Sequence, residues 1–336
     1  MSASAPRQND LLLGHEAAEA TVLEAWRAGR MHHAWLIAGP EGVGKATFAF
    51  RLARRLLKGG VPDSLVLSPS DPVFRRVATG THADLLTVER EWDDKKKRMR
   101  KTIAIDDARL IPPFLHLTPA EGGWRVVIVD GAEDLNPNSA NALLKVLEEP
   151  PPRALLMLVC AAPGRLLPTL RSRCRRLALG PVPGAAVDTL LRRDMPELGE
   201  PARATLVRLS DGSPGHAMRL ADEEGLAIAG LVGELLDALP SLPLTRAYAA
   251  ADRIGRGEGA YDLFMDLLRG AISGAVRASV RGEADLAQAR LAGLWPAAAW
   301  GELWEALTRL QGDTDRLNLD KRQAVVAGLA MLPGAR

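Results

Sequence analysis

Gly39, Gly42, Gly44 and Lys45 stand in the string GPEGVGKAT (39–47): a glycine, four residues, then glycine and lysine. Glycines at this spacing let a backbone curl so that its N–H groups point at phosphate oxygens. A lysine directly after the last one reaches the β- and γ-phosphates. A helix opening at that lysine adds the partial positive charge of its N-terminus. The expected chemistry is the holding of a nucleotide polyphosphate, with ATP as the cofactor to test. A glycine-rich turn that binds nothing remains the alternative. The next residue would ordinarily give a hydroxyl to magnesium, but it is Ala46. Thr47 follows, about 100° further round a helix. A second acid should close a buried strand and hold magnesium through water, and RVVIVD (125–130) ends on Asp130. Gly131 and Ala132 come next, so no carboxylate directly behind Asp130 polarises an attacking water. Glu133 stands two places too late and reads as an acid favoured at a helix N-terminus. Such a loop keeps the means to bind nucleotide, in degenerate form, and lacks the means to hydrolyse it well.

These residues need strands and helices behind them. AWLIA (34–38), DLLTVE (84–89), RVVIVD and ALLMLVC (154–160) are short apolar runs bounded by polar, glycine or proline residues. Runs this apolar predict strands buried on both faces, in a parallel sheet with helices on each side. In PNSANALLKVLEE (137–149), Ala140, Leu143, Leu144 and Leu147 fall at i, i+3, i+4 and i+7, and Pro137 suits a first helical position. Residues 1–179 therefore read as an α/β domain. A second zone, 180–224, opens with GPVPG and carries small helical patterns broken at Met195-Pro196 and at DGSPG (211–215). The third, 225–336, reads as amphipathic helices, for example 233–239, 261–276 and 291–310.

Composition narrows the function. The 336 residues carry 43 lysines and arginines against 41 aspartates and glutamates, a net charge of +2. That argues against coating nucleic acid by bulk charge but leaves room for a local basic patch. Hydrophobic residues at 47% and charged ones at 25% exclude wholesale disorder. Aromatics at 4% call for an aliphatic, alanine-rich core. Cys160 and Cys174 are the two cysteines, too few for a disulfide scaffold or an all-cysteine zinc site. The longest apolar run, 154–162, is far short of the roughly 20 residues that span a bilayer. A cytoplasmic, soluble chain is expected.

One further string changes the reading. LRSRCRRLAL (170–179) is by itself a solvated basic turn. It comes, however, after a phosphate loop, a VVIVD strand, an ANALLKVLEEP helix and an apolar strand. That order, with LLKVLEEPP followed by Ser172-Arg173-Cys174, resembles bacterial clamp-loader subunits of the AAA+ class. Within them the whole chain, including NLDKRQAVVAGLAML (318–332), is similar to the delta-prime type of DNA polymerase III. The resemblance implies an AAA+ P-loop domain, a small helical lid and an all-α collar for oligomerisation. It implies a stator in a hetero-oligomeric ring with gamma/tau-type ATPase and delta-type subunits. That ring loads the sliding clamp onto primer-template DNA. It also implies that Arg173 reaches, in trans, into a neighbour's ATP site as an arginine finger, so the chain matters to ATP turnover while hydrolysing little or nothing itself.

The sequence departs from its resemblance in three places. Many relatives carry a four-cysteine zinc module where residues 58–83 have no cysteine, so no zinc is expected. The strand before the SRC string ends Val159-Cys160-Ala161, without the polar residue that senses a γ-phosphate. His216, in SDGSPGHAMRL (210–220), stands where active members place a sensing arginine. All three push from motor towards stator. KKKRMRK (95–101) reads first as a solvated hairpin tip, and second as a contact to DNA phosphates through Lys95, Lys96 and Lys97. Trp295, Trp300 and Trp304 read as core or collar packing, and His32-His33 as residues satisfying local hydrogen bonds. The rival readings are an active motor subunit of the same loader, a P-loop small-molecule kinase, and a binding module without nucleotide.

Overall fold

The computed structural model describes residues 5–93, 98–100, 102–121, 123–221, 223–255, 259–282 and 284–334. In chain order the first elements are α1 (Glu16–Arg27), β1 (Ala34–Ala38), α2 (Lys45–Lys58), α3 (Pro72–Ala78) and β2 (Leu85–Val88). A short hairpin, β3 (Trp92–Asp93) and β4 (Arg98–Met99), is followed by α4 (Ile105–Arg109), α5 (Ile111–His116) and β5 (Arg125–Asp130). Then come α6 (Pro137–Glu148), β6 (Ala154–Cys160), α7 (Pro168–Arg171), β7 (Arg175–Ala178) and α8 (Gly184–Asp194). The remainder is helical: α9 (Glu200–Leu209), α10 (Pro214–Arg219), α11 (Glu223–Asp237), α12 (Leu244–Ile254), α13 (Ala260–Arg281), α14 (Leu286–Ala292), α15 (Ala297–Leu317) and α16 (Lys321–Ala330). Among the described residues, no helix is long and apolar enough to cross a membrane.

The apolar runs form one parallel sheet in the order β2-β5-β6-β1-β7. Side chains alternate across a strand, so each strand feeds two cores. Trp35 and Ile37, Val126 and Ile128, and Leu155, Met157 and Val159 pack with α1 and α2 on one face. Leu36, Val127, Val129, Leu156 and Leu158 pack with α6 on the other, against Ala140, Leu143 and Leu147. Burial on both faces is why these strands read as unbroken apolar runs rather than as alternating ones. The fold class expected from sequence, a parallel α/β domain followed by a helical region, is the one observed. β7 is the exception to easy reading. It is an edge strand whose arginines are exposed, so its sequence looked like a turn.

The chain groups into two compact units. One holds the residues through Pro196 together with Gly212–His216, and the other holds Glu197–Asp211 and the chain from Ala217. The zone 180–224 is thus divided, with α8 in the first unit and α9 in the second. In the second unit the pattern 291–310 is two helices, because Pro296 cannot continue α14 and caps α15 instead. Trp300 is buried at 2% exposure and donates Nε1–H to the Ala292 carbonyl, while Trp304 stays 41% exposed beneath Arg269. Lys95, Lys96, Lys97 and Lys101 lie outside the described residues.

Candidate phosphate loop and arginine segment

The loop between β1 and α2 is fixed by close approach and by its carbonyls. Gly39 donates to the Cys160 carbonyl at 3.3 Å, and a Cβ there would stand 2.0 Å from the Leu179 carbonyl oxygen. Only glycine fits. Gly42 (φ +75°) and Gly44 (φ +105°) take the left-handed conformations that curl the chain. Four successive carbonyls then find partners. Lys45 Nζ donates to Pro40 at 2.6 Å, Ser213 Oγ to Glu41 at 2.8 Å and the Gly215 N–H to Gly42 at 2.9 Å. Val43 is bonded at 2.7 Å to Nε2 of the buried His15. Peptides are trans, so the N–H groups of Gly42, Val43 and Gly44 turn away from those donors, as a phosphate cradle requires.

Charge at the loop is arranged around a buried lysine. Burial lowers the affinity of Lys45 for its proton, and Glu133, Asp130 and Glu41 partly restore it. Asp130 lies at the C-terminal end of β5 with its pKa raised to about 6 by burial and by Glu89 and Glu133, against the pull of Lys45. Glu133 Oε1 accepts the Ala161 N–H at 2.8 Å, so this acid ties the end of β5 to the end of β6. Beside it the Cys160 thiol is pushed up to about 12 by burial and by that carboxylate. Thr47 is buried in α2.

The residues present fit the polyphosphate half of a magnesium nucleotide and, in part, the magnesium half. The glycine curl, the helix N-terminus and Lys45 suit a polyphosphate. For magnesium, Ala46 offers a methyl group where a hydroxyl would serve, while Asp130, raised to about 6 by burial, still offers a carboxylate at neutral pH. Glu133 Oε1 accepts the Ala161 N–H, while its buried Oε2 has no hydrogen-bond partner among the described residues.

Arg173 stands elsewhere. It follows α7 and precedes β7, whose Arg175 pairs with Trp35 in register, whereas the phosphate loop follows Ala38 at the other end of β1. Along the strand direction Arg173 and Gly39 are separated by roughly 20 Å, six positions at about 3.3 Å each. The guanidinium gives Nη2–H to Glu148 at 2.6 Å and Nη1–H to the Thr169 carbonyl at 3.0 Å, and keeps 35% of its side chain exposed. Glu148 is the last residue of α6, so LLKVLEE and SRC meet in space as an ion pair. The adjacent Leu147 carbonyl is bonded to His33 Nε2 at 3.0 Å, which fixes this end of α6 to the start of β1. Cys174 packs into the α6 core and its thiol is pushed up to about 11 by burial.

The sequence-predicted residues therefore divide. Gly39, Gly42, Gly44, Lys45, Asp130 and Glu133 gather at the C-terminal ends of the strands, and Arg173 sits at the opposite end. His216 belongs to the short stretch that touches the loop, where its N–H reaches Ser213 Oγ at 3.3 Å. Sequence reasoning missed His15, Ser213, Gly215 and Glu148, and it read His33 as satisfying local hydrogen bonds where its Nε2 bonds Leu147, 114 positions away. For Glu148 a signal existed, because an acid in a helix's last turn runs against the macrodipole and asks for a partner. It also missed the anchor of the leading segment. There the fully buried Arg54, stacked 4.2 Å from Phe74, donates to the Asn9 carbonyl, and Arg51 donates to that of Asp10. Residues 58–83 are held by a Lys58–Asp71 pair and by Asp71 capping α3 through the Val73 N–H. Among the described residues, no group of three or more histidines, cysteines or acids could hold a metal.

Comparison with known proteins adds the family. A model described as DNA polymerase III, delta subunit, matches residues 14–183, half of the chain. The delta-prime subunit of DNA polymerase III from Pseudomonas aeruginosa is 40% identical over 191 residues, 56% of this chain and 55% of that protein. The Escherichia coli delta-prime subunit is 36% identical over 199 residues, 59% of this chain and 57% of the relative. The gamma/tau subunit from Mycobacterium bovis is 30% identical over 225 residues, 63% of this chain and 36% of that protein. The chain spans about half the length of the delta-prime relatives it matches. With a matched segment that runs from Gly14 through the loop, the LLKVLEE helix and the SRC string to Pro183, the chain belongs to the DNA polymerase III delta subunit family.

Proposed function

We propose that this chain is a stator of the DNA polymerase III clamp loader. It assembles in the cytoplasm with gamma/tau-type ATPase subunits and a delta-type subunit, and the complex uses ATP to place a sliding clamp on primer-template DNA. Residues 180–224 serve as the lid and 225–336 as the collar that holds the ring. Polymerisation belongs to the holoenzyme. The chain takes no zinc, and its own loop binds nucleotide weakly at best and does not hydrolyse it.

One observation carries this reading: Arg173, with about a third of its side chain exposed, lies at the far end of the sheet from the chain's own phosphate loop. A guanidinium so placed cannot serve Lys45. It is available to a polyphosphate on an adjoining subunit, where it would stabilise charge developing on the γ-phosphate. The test is reconstitution with purified partner subunits. The expected result is one complex whose clamp- and DNA-stimulated ATP turnover falls when Arg173→Ala replaces the wild-type chain without loss of assembly. Unchanged turnover in the assembled variant would refute the assignment. The 30% identity to gamma/tau favours a second reading, an active motor. ATP hydrolysis by the isolated chain would decide for it.

A further inference from the structure

We infer that Glu148 is a positioning residue for Arg173, and through it sets how fast the neighbouring site turns over. The inference rests on the finger reading above. Glu148 closes α6, where a carboxylate runs against the helix macrodipole, so it is not there for the helix. Its side chain is half exposed and reaches Arg173 Nη2 at 2.6 Å. A second acceptor, the Thr169 carbonyl, takes Nη1–H at 3.0 Å. The backbone beneath is fixed as well. The Ser172 N–H bonds to Pro168 and the Arg173 N–H to Leu170, while Ser172 Oγ donates to Thr169.

The physical consequence follows from the shape of the group. A guanidinium is a planar fork with five N–H donors on a long, flexible stem. Two acceptors on different elements, α6 and α7, fix both its position and its plane. The donors beyond those two bonds then face outward in one orientation. A half-exposed carboxylate pair is too weak to hold the arginine back from a polyphosphate. Glu148 therefore biases the orientation without competing, and Arg173 has less rotamer freedom to lose in the transition state. His33 supports the arrangement by fixing the Leu147 carbonyl to β1.

The experiment uses the full chain in the reconstituted complex, with ATP turnover read as kcat and KM. Glu148→Ala is expected to lower kcat about tenfold at unchanged KM for ATP, since only transition-state contact is affected. Glu148→Gln, which keeps an acceptor oxygen, should restore most of the rate. In an Arg173→Ala background, Glu148→Ala should cost nothing further, which a merely structural role would not produce. Wild-type kcat for Glu148→Ala, or an equal loss with and without Arg173, would overturn the inference. Wild-type turnover for Arg173→Ala would instead remove the finger reading beneath it.

Discussion

The phosphate loop and the arginine segment sit at opposite ends of one sheet and spend their polar groups in opposite ways. At the loop, carbonyls of four successive residues are bonded within the same unit, and the lysine folds back on Pro40. At the segment, two internal bonds fix a guanidinium that still shows a third of its surface. A loop so engaged has its carbonyls fixed within the unit and its N–H groups left for an anion. The arginine, held by two bonds, keeps donors free, as the proposed role in a neighbour's site requires. The difference teaches that a motif's presence and a motif's employment are separate questions, decided by where its hydrogen bonds go.

Substitution can break that contrast. The largest effect should come from comparing Arg173→Ala with Lys45→Ala in the assembled complex. Removing a finger costs other NTPases roughly 10³-fold or more, and a loss of that order at the adjoining site is expected for Arg173→Ala. Lys45→Ala should leave turnover unchanged, and a large loss there would make the loop a working nucleotide site. Next, Gly39→Ala should destabilise the chain by about 3 kcal/mol in denaturant unfolding, because its Cβ would collide with the backbone at Leu179. Wild-type stability would mean the loop gives way to the added methyl group.

Asp130 supplies a prediction of opposite sign. Its pKa is about 6 when folded against 3.8 for an unperturbed aspartate, so the folded state holds the proton more tightly. Stability is then lost as pH rises from about 4 to about 6 and stays lost above it. Asp130→Asn should therefore stabilise the chain by roughly 2–3 kcal/mol at pH 7.5, and the gain should vanish near pH 4. A variant less stable than wild type at pH 7.5 would show that Lys45 pairs with this acid more strongly than burial opposes it. The smallest effect concerns residues 58–83. Asp71→Ala should cost about 1 kcal/mol through the lost α3 cap. A chelator should leave the melting temperature of the wild-type chain unmoved, and zinc found by elemental analysis would contradict this.

Much of the fold is legible in the sequence. Strands 34–38, 125–130 and 154–160 were read to the residue, since burial on both faces leaves an unbroken apolar run. The helix at 137–148 was visible from its 3.6-residue spacing and Pro137. β7 was not, because an edge strand with exposed arginines has the composition of a turn. The interruption at Pro296 breaks the 291–310 pattern, a signal that proline carries and the apolar spacing does not. The loop glycines and Lys45 were legible as a set, while Ser213, Gly215 and His15 carry no local mark of the loop they bond.

The sequence by itself determined the chemistry on offer: a phosphate cradle without a magnesium hydroxyl, an acid without a following carboxylate, and an arginine in an SRC string. These are statements about which groups exist at which spacing, and spacing along a strand or helix is local. Only the tertiary structure decided that Lys45 turns to Pro40, that residues 213–216 cover the loop's carbonyls, and that Glu148 meets Arg173 across 25 positions. Those pairings join groups far apart in the chain, and a hydrogen bond depends on direction and on a few tenths of an ångström. No periodicity encodes that. It emerges only when the sheet has set its strands side by side.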